Sequence, residues 1–109
     1  MSRFAALPIL LFAAVLEAGG DALIRSALQR SGLVLRIGLF AAGALTLFLY
    51  GFLVNAAPWD FGRLIGIYVV FFFLVAQVVA WAAFGEAPSP SLLIGGAFIV
   101  LGGLILARG

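Results

Sequence analysis

Apolar residues run along this chain in four long blocks separated by three short polar segments. The first block covers about 4–27 and closes in Gln29-Arg30-Ser31-Gly32; the second covers about 33–55 and is broken by Ala56-Ala57-Pro58-Trp59-Asp60. The third covers about 61–84, and Gly85-Glu86-Ala87-Pro88-Ser89-Pro90 then turns the chain into the fourth, about 90–107. A bilayer is crossed by roughly 20 apolar residues in a helix. Lipid supplies no hydrogen bonds to the backbone, so a spanning segment must be a helix or a barrel strand, and these blocks are too long for strands. The pattern therefore predicts one all-α integral membrane domain over 1–109, with four transmembrane helices and short loops. Gly32 is placed to stop the first helix. Ser89 is placed to cap the fourth, with Pro90 at its first position, where a missing N–H costs nothing.

Composition strengthens this picture. Of 109 residues, 66% are hydrophobic and 9% charged, with a mean hydropathy of +1.32, whereas a soluble domain carries about 25% charged residues. Four spans use up this length, so no catalytic or regulatory domain is expected beside them. The chain has no cysteine and no histidine, which removes disulfides, thiol nucleophiles, the usual metal ligands and the commonest general base. No cofactor, metal or nucleic-acid partner is expected, since the pI near 10 rests on two excess charges. Arg3, the apolar run 4–16 and the small residues Ala18-Gly19-Gly20 loosely fit a cleaved signal peptide. A single arginine is a thin positive region, however, and Ala22-Leu23-Ile24 continue the apolar run, so the segment is read as a retained helix.

With four spans, Arg3, Arg63 and Arg108 share one side of the membrane, and Arg25, Arg30 and Arg36 share the other. Three arginines on each side leave the positive-inside rule no bias to act on. Either another feature fixes the topology, or the protein inserts both ways round and can pair antiparallel.

Glu17 is the leading candidate for chemistry. It lies about two-thirds along the first span, where an ionisable side chain costs at least about 2.5–3.5 kcal/mol on insertion scales. Withdrawal from water favours the protonated form of a carboxyl, so a group so placed can bind a proton and a cationic substrate in turn. The plainer reading is a glutamate held protonated, or neutralised by an arginine, to pack helices. Asp21 and Arg25 continue the same face at i+4 and i+8, with Ala13, Ala14 and Ala18 keeping it narrow. Their spacing suits an ion pair anchoring the helix end. The third span supplies Tyr68, which carries a hydroxyl to mid-span, together with Phe71, Phe72, Phe73, Gln77 and Trp81. Aromatic rings beside a carboxylate suit an organic cation, although single aromatics in such helices more often pack. Gln77 is expected to hydrogen-bond across helices. In the fourth span, Gly95-Gly96 and Gly102-Gly103 recur seven residues apart, a packing seam within the chain or between copies.

These residues resemble the small multidrug resistance family of the drug/metabolite transporter superfamily, over nearly the whole chain. Glu17 in Leu16-Glu17-Ala18 is similar to the family's membrane-embedded glutamate, and Arg25 falls where the family carries a basic residue. Trp81-Ala82-Ala83-Phe84-Gly85-Glu86 is similar to the end of its third helix, and Gly95 and Gly102 fall on the glycines of its dimer seam. The third helix departs from the pattern. In Ile65-Gly66-Ile67-Tyr68, Tyr68 stands where the family has a tryptophan and Ile65 where it has a tyrosine, while Asp21 adds a second acid. The Gly62-Arg63 start is closer to a less characterised group of small four-helix relatives.

The resemblance implies an antiparallel, dual-topology homodimer in the inner (plasma) membrane that exchanges protons for a small cationic or amphipathic compound. Glu17, Tyr68 and Asp21 would form its binding site, Arg25, Gln77 and Trp81 would be accessory, and Gly95 and Gly102 would form the dimer seam. Two other readings stay open: a flippase-like subunit for a lipid-linked head group, and a non-transporting protein that packs against a larger complex. An enzyme is not expected, because no nucleophile–base pair, phosphate loop or metal cluster is present.

Overall fold

All four apolar blocks fold as helices: α1 (Arg3–Gln29), α2 (Leu33–Val54), α3 (Phe61–Phe84) and α4 (Pro90–Arg108). The structure, a computed structural model, describes residues 3–108, and no strand occurs among them. Each helix is long and apolar enough to cross a membrane, and the bounds lie within two residues of those the hydropathy pattern predicts.

Side chains at the junctions explain most of the boundaries. The Ser89 hydroxyl accepts the Leu92 N–H at 3.2 Å, which caps α4 as expected. At the end of α3, Gly85 takes a left-handed conformation (φ 67°) that a Cβ would oppose. The Gly85 N–H bonds the Trp81 carbonyl at 3.1 Å and the Glu86 N–H bonds that of Ala80 at 3.0 Å. These two bonds satisfy the last carbonyls of α3 and fold Glu86 back over it. Gly32 does not play the part expected of it. Its backbone is extended (φ −75°, ψ 125°), and it leads into α2 instead of terminating α1. α1 ends at Gln29, and one carbonyl of its last turn, that of Ala27, accepts from the Arg30 N–H at 3.3 Å and from Arg36 Nε of α2 at 3.1 Å.

Helix α1 packs against both α2 and α3, whereas α4 packs chiefly on α3. The result is a slab whose principal extents are 49 × 34 × 19 Å, two helices thick. Its best-buried layer is narrow: Ala6, Ala13 and Ala14 of α1 meet Leu64, Ile67 and Tyr68 of α3, with Val54 and Ala57 closing one end. Small residues on α1 let the backbones come close. Gly20 faces Gly43 of α2, and an added Cβ at Gly20 would lie 2.8 Å from Leu47 and 3.3 Å from the Gly43 oxygen. Large apolar side chains turn outward instead, among them Phe52 at 74% exposure and Phe98 at 71%. That inversion of a soluble core suits a chain solvated by lipid.

The double glycines of α4 divide their work. Consecutive helical residues point about 100° apart, so only one glycine of each pair can face α3. Gly96 takes Phe73 and Gly103 takes Val70, while an added Cβ at Gly95 or Gly102 would meet nothing. The seam inside the chain is thus made by Gly96 and Gly103, and Gly95 and Gly102 lie on the outward side.

Gly96→Leu and Gly103→Leu should each cost about 1–3 kcal/mol through overpacking. Gly95→Leu and Gly102→Leu should leave the detergent-solubilised monomer close to native. Unfolding of the four variants in detergent checks this, and equal losses at all four positions would contradict the division.

Candidate functional site

The best-placed polar contact in the structure joins the two longest helices at mid-span. Tyr68 Oη donates to Glu17 Oε1 at 2.8 Å, across 51 residues of chain. The sequence produces this contact through the small face of α1. With Ala13, Ala14 and Ala18 at 0–4% exposure on either side of Glu17, α3 approaches closely enough for a phenol to reach the carboxyl. The Tyr68 ring is 3% exposed, and a buried phenol needs a partner for its hydroxyl. Glu17 is that partner.

Two further rings hold Tyr68 in place. Tyr50 of α2 stacks on it with centroids 5.5 Å apart, and Phe72, one turn along α3, stacks at 6.4 Å. Through that stack Tyr50 brings a second phenol into the neighbourhood of Glu17. The carboxyl is therefore met by the Tyr68 phenol, with Tyr50 stacked behind it, and among the described residues no arginine or lysine pairs with it. Tyr50 is a site residue that the sequence reading did not single out. Its signal was a phenol within a mostly apolar run, eighteen residues from the nearest candidate in the chain.

Beside this pair a cavity of about 340 Å³ runs between α1 and α3 toward their C-terminal ends. Asp21 and Arg25 line it from α1; Phe72, Ala76 and Ala80 line it from α3; and Glu86 lies at its end. Arg25 does not pair with Asp21, as the i,i+4 spacing led one to expect. Its guanidinium reaches across to Glu86 at 3.6 Å and lies 5.2 Å from the Phe84 ring centroid. The fold-back at Gly85 brings Glu86 within reach, and its charge competes with that of Asp21. Both side chains of the Arg25–Glu86 pair are more than half exposed, so it adds little stability.

Two expected accessory residues lie elsewhere. Gln77 follows Tyr68 by nine residues, two and a half turns at about 3.6 residues per turn, and so faces the opposite way. It borders a separate apolar pocket with Phe73, Leu92 and Gly96, on the α4 side, and makes no hydrogen bond among the described residues. Trp81 is 61% exposed on the outer surface. Neither joins Glu17. The residues brought together are Glu17, Tyr68, Tyr50 and Phe72, with Asp21 and Arg25 along the adjoining cavity. No group of three or more acidic residues with metal-binding geometry occurs among the described residues. Comparison with protein-family models, curated proteins and solved structures found no match.

Tyr68→Phe keeps the ring and its stacking but removes the hydroxyl, and should lower stability by about 0.5–1.5 kcal/mol. Tyr50→Phe should cost less. Unfolding in detergent measures both, and an unchanged Tyr68→Phe would mean that the bond contributes nothing.

Proposed function

We propose that this chain is a proton-coupled exporter of a small cationic or amphipathic compound, embedded in the plasma membrane and working as a homodimer. The observation that carries this reading is the setting of Glu17. Its carboxyl sits at mid-helix, points between helices and is met by the Tyr68 phenol, not by a guanidinium. A permanently paired acid would be structural. One met by neutral hydroxyls keeps both options, since a phenol can donate to a carboxylate and can also accept from a carboxylic acid.

The cycle follows from charge. With Glu17 ionised, the cleft carries uncompensated negative charge in a low-dielectric setting, and a cation entering it is strongly attracted. When a proton binds Glu17, that attraction falls and the cation leaves. Alternation between the two faces of the membrane would couple proton entry to substrate exit, as in the small multidrug resistance proteins that the sequence resembles. Their antiparallel pairing fits a chain with three arginines on either side. The outward Gly95 and Gly102 leave a smooth stripe on α4 for a second copy.

In liposomes holding a proton gradient, the native chain should drive uptake of a quaternary ammonium probe. Glu17→Gln, which keeps the shape and removes the titration, should abolish exchange driven by the gradient. Full exchange by that variant would overturn the mechanism.

A further inference from the structure

We propose that Asp21, one turn beyond Glu17, is the residue that receives the positive charge of the transported compound, while Glu17 handles the proton. This assignment rests on the reading of the cleft as a cation path and divides that task between two acids.

The two carboxyls differ in which is free and which is open to the cavity. Glu17 is occupied, accepting the Tyr68 hydroxyl at 2.8 Å with Tyr50 beside it, and it does not line the 340 Å³ cavity. Asp21 does line it. Among the described residues Asp21 accepts no hydrogen bond and joins no ion pair. The one cation within a helical turn, Arg25, is drawn away to Glu86 and to the face of Phe84. A carboxylate whose natural neutraliser has another partner leaves its charge available to a ligand.

The rest of the wall defines that ligand. Opposite Asp21 stand Phe72, Ala76, Val79 and Ala80, a shallow apolar surface with one aromatic face for cation–π contact. A volume of about 340 Å³ lies at the small end of ligand pockets, which run from about 300 to 1,000 Å³. Together these favour a compact organic cation, a quaternary or protonated amine with one ring-sized apolar group, over large polycyclic compounds. The Arg25–Glu86 pair closes the far end with no net charge, so among the described residues Asp21 is the one unpaired carboxylate on the wall, which favours monocations.

The two acids communicate across one turn. Residues at i and i+4 stand about 5–6 Å apart at Cβ, close enough for a charge on one to act on the other. The titratable and charged groups around them are Tyr50 from α2, Tyr68 from α3, Arg25 on α1 and Glu86 after α3. A cation bound at Asp21 therefore disfavours a proton on Glu17, and a proton on Glu17 loosens the cation, without the two sharing one carboxyl.

Binding of benzyltrimethylammonium to the purified full-length chain, by calorimetry with proton release followed in weak buffer, tests the division. Asp21→Asn should weaken binding by about tenfold or more, and Asp21→Glu should restore most of it. Glu17→Gln should still bind the probe but release no proton. Native affinity in Asp21→Asn, loss of binding in Glu17→Gln, or failure of Asp21→Glu to rescue a folded protein would each overturn the assignment while leaving the cleft a cation site. A native chain that binds no probe would overturn the cation path itself, and the assignment with it.

Discussion

A carboxyl group withdrawn from water needs a proton, a cation or a set of hydrogen-bond donors, and the helices of this chain are arranged around that requirement at Glu17. The side chain reaches α3 only because its neighbours on α1 are alanines. Larger residues at 13, 14 or 18 would hold the helices apart and leave both the carboxyl and the Tyr68 phenol without partners. Close packing and the polar contact are thus one feature. The small face brings α3 near, Tyr68 fills the approach, and its hydroxyl meets the acid at 2.8 Å. Tyr50 and Phe72 stack on the same ring, so three helices converge on a single carboxyl.

The seam between α1 and α3 follows from this contact and changes character along its length. Toward one end it is filled by Leu10, Leu64 and Ile67. Beyond Glu17 it opens into the cavity lined by Asp21 and Arg25. Helix α4 takes no part in that cleft. It lies on the far side of α3, anchored through Gly96 and Gly103, with the rest of its circumference apolar and uncovered. A chain that places its polar chemistry on α1 to α3 and keeps α4 uncharged as far as Arg108 has one helix free for contacts outside itself.

Much of the fold was legible in the sequence, because lipid makes hydropathy and helix length nearly the same signal. The four blocks and the Ser89 cap follow from residue type and position, which also single out Glu17 and Tyr68, the pair the fold joins by a hydrogen bond. What escaped were matters of direction. Gln77 and Trp81 share a span with Tyr68, and counting turns from Tyr68 would have set Gln77 on the opposite face. Each double glycine reads as one motif, yet adjacent residues diverge around the helix, so Gly96 and Gly103 serve the chain's own packing. Arg25 lies one turn from Asp21, yet it pairs with Glu86, sixty-one residues away. That choice depends on the left-handed turn at Gly85, whose effect on Glu86 is visible only in three dimensions. Tyr50 is hidden for a related reason: nothing in a linear reading says that α2 stacks its phenol on the Tyr68 ring.

The chain contains two glutamates, Glu17 and Glu86, so a carbon-13 label on glutamate side-chain carboxyls gives two resonances that Glu86→Gln would assign. Following the Glu17 resonance in lipid bilayers tests the central claim directly, because its shift reports whether the carboxyl is protonated. With Glu17 as the proton carrier, the resonance moves with pH, and an added organic cation at fixed pH drives it toward the ionised position. A resonance fixed in one state, indifferent to both proton and cation, would contradict the account and leave Glu17 a packing residue.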